Sequence, residues 1–177
     1  MRLILVRHPK PLCEKGICYG RLDLECEPEA LSEAVQRLAK LASASRVFTS
    51  PAKRARDLAA RLGAQLIVDD RLQELDFGDW EGRRWQDLGR EAIDAWHRGL
   101  PHSAPPNGET LRAMAERCAS WLESLQPSEG PVLAITHAGP IRVMMAILRD
   151  EPLLTYFTAA APFAEPIELQ FPTREAW

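Results

Sequence analysis

Apolar residues follow two alternating rhythms along this chain. Short unbroken runs at Leu3–Val6, Val47–Phe48, Leu66–Val68 and Val132–Ile135 have the pattern of strands buried on both faces of a sheet. A fifth, Ile167–Phe171, alternates and predicts an edge strand. Between them the period changes to that of helices. Leu31, Val35, Leu38 and Leu41 share one face after the acidic stretch Glu25–Glu29. Leu58, Ala59 and Leu62 follow Pro51, expected in a first helical turn behind a Ser50 cap. Leu111, Met114, Cys118, Trp121 and Leu125 predict a helix over Thr110–Leu125, and Ile141–Leu148 predicts another. Strands alternating with helices give an α/β fold with a largely parallel sheet. Two stretches break the rhythm. His97–Gly108 holds Pro101, Pro105, Pro106 and Asn107 and is expected as a loop, and Pro9–Glu29 is long for a connector, which favours a functional loop.

Composition narrows the classes. A chain of 177 residues fits a single domain, 1–177, and can bury a core without a disulfide or metal staple. Net charge is −3, which argues against a broad nucleic-acid or anionic-membrane face; a few clustered arginines could still hold a small anion. Cys13, Cys18, Cys26 and Cys118 contain no CxxC pair and read as free thiols. The apolar run Leu3–Val6 is too short for a signal-peptide core and no later stretch is a membrane span, so a cytoplasmic protein is expected.

The chemistry gathers where strands end, the edge at which open α/β sheets bind ligands. The first strand runs into Arg7-His8, the second into Thr49-Ser50-Pro51 with Arg54 a turn later, and the fourth into Thr136-His137-Ala138-Gly139. Two arginines and two histidines on one edge suit a phosphate dianion: guanidinium forks match its oxygens and a neutral imidazole can attack phosphorus. Coincidental surface cations would account for Arg54 alone, beside Lys53 and Arg56, but poorly for both histidines together.

Five segments in order carry a family resemblance: Arg7-His8, Ser50-Pro51-Ala52-Lys53-Arg54-Ala55, Glu74 to Gly82, Gly108-Glu109-Thr110 and Thr136 to Gly139. Together they resemble the histidine phosphatase superfamily, the phosphoglycerate-mutase-like group, over residues 2 to about 150. The loop Gly16 to Asp23 is similar to the branch that holds the α-ribazole phosphatases of cobalamin biosynthesis. The resemblance implies a three-layer sandwich with a mostly parallel central sheet flanked by helices. It also implies His8 as the nucleophile that becomes phosphohistidine, with Arg7, Arg54 and His137 holding phosphoryl oxygens. His8 needs an unprotonated nitrogen, its other nitrogen tied to a backbone carbonyl, whereas His137 would serve best protonated. Glu74 occupies the family's acid position, with Glu81 the rival carboxylate. Glu109 opens a helix, where it either answers the helix dipole or supports the site from behind.

The departures bear on specificity. The family's usual Gly and Glu or Gln after the histidine are replaced by Pro9-Lys10, and Glu14 stands where many members have Asn. Arg21 or Lys10 could supply the missing phosphate contact, and Tyr19 to Asp23 fall where the family builds part of its substrate wall; Tyr19 could stack on a flat ring. Trp85 and Trp96, eleven residues apart, are expected on one packed helical face. The expected activity is hydrolysis of a small phosphomonoester, with α-ribazole 5′-phosphate as a candidate and with no cofactor and no metal. A phosphoglycerate-mutase-type phosphotransferase and a non-catalytic phospho-ligand binding protein are the alternatives. The partner is a small phosphorylated metabolite, with no nucleic acid and no membrane; oligomeric state is open.

Overall fold

Five strands form one sheet in the computed structural model, which describes residues 1–43, 45–63, 66–126 and 130–171. Arg2–Arg7 (β1), Arg46–Thr49 (β2), Leu66–Val68 (β3), Val132–Thr136 (β4) and Pro166–Gln170 (β5) lie in the order β3-β2-β4-β1-β5. All neighbours are parallel except the edge strand β5, which runs antiparallel to β1. The apolar runs are continuous because both sheet faces are covered. Alternation within β1 divides the core: Leu3 and Leu5 face one hydrophobic cluster, Ile4 and Val6 the other.

Helices Pro28–Ala42 (α1) and Lys53–Arg61 (α2) supply Leu31, Leu38, Leu58 and Ala59 to the second cluster. Arg90–Gly99 (α3), Leu111–Ser124 (α4) and Ala138–Leu148 (α5) supply Trp96, Met114, Trp121, Ile141 and Met144 to the first. The result is the expected three-layer α/β sandwich. All four cysteines are free thiols. Among the described residues no helix is long and apolar enough to cross a membrane.

Several local expectations need correction. Helix α2 begins at Lys53, so Pro51 lies outside it, and the Ser50 hydroxyl caps only a turn by accepting from Ala52 N at 3.3 Å. Helix α3 extends to Gly99 and takes in His97, which was expected in the proline-rich loop. Trp85 and Trp96 do not share a helix: Trp85 sits in a 3₁₀ turn, Trp85–Asp87, and its ring stacks on that of Trp96 in α3 at 6.4 Å. Helix α5 starts three residues earlier than its apolar run, at Ala138, with Ala138, Gly139 and Pro140 in its first turn.

Register explains how the site is assembled. Arg7 pairs with Thr136 and Thr49 with Ile135, so β1, β2 and β4 end level. His8 N then donates to Thr136 O and Ser50 N to Ile135 O, both at 2.9 Å, carrying the ladder one residue past the strands. His8, Ser50 and His137 therefore leave the sheet side by side.

Candidate active site

Arg54 is the hub of this edge. It is 0% exposed, the largest buried charge in the described chain. Its Nε donates to His8 Nε2 at 3.3 Å and its Nη2 to His137 Nδ1 at 3.2 Å, while Nη1 and Nη2 also reach Leu22 O and Gly20 O. Because a guanidinium only donates, each histidine must present a lone pair to it. His8 Nδ1 lies 2.7 Å from Pro9 O, which can only accept, so the proton sits on Nδ1 and Nε2 is the free base. His137 Nε2 lies 2.8 Å from Ser50 Oγ and carries its proton toward that hydroxyl. The two imidazole centroids are 5.0 Å apart.

Burial holds His8 well below the ordinary histidine value, with Arg54 adding to the effect, and burial followed by the His8 and Arg54 charges does the same for His137. Arg54 donates to both rings, so each presents a lone pair to it, and the protonated His137 expected beside a bound dianion requires that contact to change.

No carboxylate pairs directly with Arg54 or Arg7 among the described residues. The carboxylates that act on Arg54, Glu74 first, do so through space. Arg7 stacks on Phe163 at 3.8 Å, donates to Ala161 O at 3.0 Å, and keeps a buried Nε with no hydrogen-bond partner. Burial pulls Arg54 below the usual guanidinium value. Unpaired buried charge is costly, so this arrangement favours an incoming anion with several oxygens.

Glu74 supplies the carboxylate of the site. Gly139 N, at the start of α5, lies 3.1 and 3.2 Å from its two oxygens, and Leu75 N donates to Oε1 at 2.9 Å. A Cβ at position 139 would stand 2.1 Å from Oε1, so only glycine admits the carboxylate there. Glu74 forms part of the wall of two cavities. One, about 120 Å³, is mainly apolar and includes Phe77, Trp96, Met114, Arg142 and Phe157. The other, about 160 Å³, includes Gly20, Arg21, Pro51 and Gln73.

The remaining candidates fall into place unevenly. Tyr19 lies against the two arginines, its ring 5.4 Å from the Arg54 guanidinium and its hydroxyl 3.5 Å from Arg7. Glu81 is occupied by main chain, accepting from Arg21 N, Leu22 N and Phe77 N at 2.7, 2.6 and 3.2 Å. The Arg21 side chain faces Asp76 and Glu109 at 3.8 and 3.6 Å. Lys10 is not brought to the edge: it pairs with Glu27 at 2.6 Å along an open groove beside Arg37. Glu14, in place of the family's Asn, is drawn away to Arg84. Sequence reasoning missed Phe163 and Ala161, which reach the site from a segment with no pattern of its own, and Arg142, a polar position on the otherwise apolar helix α5. It also missed Arg117, hidden among the polar positions of an amphipathic helix.

The family comparison agrees with this geometry. Residues 3–173 match the model of the histidine phosphatase superfamily (branch 1), and the chain belongs to that superfamily. A Hydrogenobacter thermophilus protein named "Putative phosphoserine phosphatase 2" is 32% identical over 158 residues, 83% of this chain and 78% of that one. The adenosylcobalamin/alpha-ribazole phosphatase of Salmonella typhimurium is 29% identical over 182 residues, 86% of this chain and 81% of that one. Among solved structures, the mycobacterial glucosyl-3-phosphoglycerate phosphatase is similar with a TM-score of 0.78 at 26% identity, covering 94% of this chain and 88% of that one. The chain is a phosphatase of the histidine type.

Proposed function

We propose that His8 is the nucleophile of a two-step hydrolysis of a small phosphomonoester. The observation that carries this reading is the buried Arg54, without a carboxylate partner, donating to an unprotonated nitrogen on each histidine. In the first step the His8 Nε2 lone pair attacks phosphorus and the ester P–O bond breaks. Glu74, carrying a proton, gives it to the leaving oxygen, so an alcohol departs and phosphohistidine remains. In the second step Glu74, now a carboxylate, takes a proton from water as the water oxygen attacks phosphorus. The N–P bond breaks, its electrons return to Nε2, and inorganic phosphate leaves. Arg7 and Arg54 neutralise charge spread over the phosphoryl oxygens, and His137 adds a donor once a bound dianion favours its protonation.

The apolar cavity beside Glu74 supports a leaving alcohol that carries a flat apolar group, because Phe77, Trp96 and Phe157 are among the residues around it. α-Ribazole 5′-phosphate meets that description, and one relative is named for this activity. Tyr19, turned toward the arginines, is better suited to covering the phosphate than to stacking on that ring. Phosphate release measured across α-ribazole 5′-phosphate, phosphoserine and 3-phosphoglycerate tests both levels. Inorganic phosphate from at least one ester, with the highest kcat/KM for the first, is expected. Transfer of the phosphoryl group back to substrate would instead make the chain a mutase, and tight binding without turnover would make it a binding protein. Equal kcat/KM across the esters would remove the preference for a ring.

A further inference from the structure

Glu74 sits on an irregular stretch between two 3₁₀ turns, Asp70–Leu72 and Gly78–Trp80, with neither helix nor strand to hold it. A proton donor on such a stretch needs its backbone fixed from elsewhere, since a displacement of about 1 Å can cost about 10²-fold in rate. Arg117, on α4, meets that need. Its Nε donates to Glu109 Oε1 at 2.7 Å and its Nη2 to Glu109 Oε2 at 2.9 Å and Glu74 O at 3.1 Å. Its Nη1 donates to Arg71 O and Gln73 O, both at 2.7 Å. All five N–H groups of the guanidinium are thus engaged, three of them with carbonyls at or just before the acid.

Glu109 closes the other side of the stretch. Glu109 N donates to Asp76 O at 2.8 Å, and its Oε2 lies 3.4 Å from Asp76 N. Arg117 and Glu109 are only 15% and 13% exposed as side chains, so this is a protected pair rather than a surface one. The Glu74 backbone is held from α4 while its carboxylate is held by the first turn of α5, and the two helices pack together.

We infer that Arg117, clamped by Glu109, is a positioning residue that sets the aim of Glu74 toward the leaving oxygen; this rests on the reading of Glu74 as the acid. Lysine cannot replace the fork, having three donors on one nitrogen in place of five in a plane. The test compares each variant on two esters, p-nitrophenyl phosphate, whose leaving group needs no proton, and an alkyl phosphate, whose leaving group does. The ratio of the two kcat/KM values reports the first step alone, because hydrolysis of the phosphohistidine is common to both esters, and it is independent of the fraction of molecules folded. Arg117→Lys is expected to lower the alkyl-to-nitrophenyl ratio by about 10- to 100-fold, with KM for both esters within about threefold of the parent. Glu109→Gln, which removes the charge but leaves an acceptor, is expected to lower it less and serves where Arg117→Lys does not fold. An unchanged ratio in whichever of these variants folds overturns the inference, as does an equal loss on both esters. Glu74→Gln is the reference: if it leaves the ratio unchanged, the acid reading itself fails, whatever Arg117 does.

Discussion

The two halves of the site are built in different ways. The cationic half, Arg7, His8, Arg54 and His137, comes from strand ends and the first turns of helices; main-chain register sets the strand ends level and loop carbonyls hold the Arg54 guanidinium against both histidines. The carboxylate half, Glu74, Glu81 and Glu109, lies on or beside irregular chain, and side chains bracing backbone hold it in order. The sheet edge holds its groups without a carboxylate brace: their hydrogen bonds run to carbonyls, to hydroxyls and to one another, and Arg7 Nε has no partner. The irregular half spends most of its carboxylate oxygens on its own backbone, and Glu74 is distinguished by the two cavities it borders.

Substitution separates the halves. His8→Ala removes the proposed nucleophile while its neighbours remain on the sheet, so turnover of every ester is expected to vanish with the fold retained; normal turnover would put the nucleophile elsewhere. Glu74→Gln keeps shape without a transferable proton, and alkyl phosphate turnover should fall by about 10²–10⁴-fold, with a smaller loss for p-nitrophenyl phosphate. Glu81→Gln should show no such dependence on leaving group. It weakens three hydrogen bonds to backbone, so its effect should be a loss of stability of about 1–3 kcal/mol, read by urea unfolding. If Glu81→Gln shows the leaving-group pattern and Glu74→Gln does not, the acid is Glu81.

The legibility of the two halves follows from the same contrast. Strand runs such as Leu3–Val6 and Val132–Ile135 are visible because burial on both faces forces continuous apolar residues, and their ends locate His8 and His137 without further information. The covering helices are visible for the same reason, apart from α3, whose packing residues Ile93 and Trp96 are too few for a period to emerge. Glu81 and Arg21 look like ligand groups in one dimension. Only the folded chain shows that Glu81 faces amides and that Arg21 faces carboxylates. Phe163 could not be foreseen at all, since it meets Arg7 through a bridge far along the chain.

A smaller effect should appear in acid. Both site histidines are held neutral in the folded protein, below the ordinary value of 6.5. As pH falls below that value the unfolded chain takes up protons that the folded chain refuses. Stability should therefore decline from about pH 7 to pH 5, by at most about 1.4 kcal/mol per pH unit per histidine. Asp69, held below the usual carboxylate value chiefly by its hydrogen bond to Arg71, contributes its loss at lower pH and does not confuse this window. Urea midpoints at pH 7 and 5.5 check it, and His8→Asn should flatten the dependence. A dependence just as steep in that variant would assign it to other groups.

The covalent intermediate tests the central claim most directly. Rapid acid-free quenching of the Glu74→Gln variant with p-nitrophenyl phosphate, followed by peptide mass spectrometry and phosphorus NMR, locates the phosphoryl group. The hydrogen bond from Nδ1 to Pro9 O leaves Nε2 as the free nucleophile, so phosphate on His8 at Nε2 is the expected result. Phosphate on Nδ1, on His137, or on no residue during continuing turnover would contradict it.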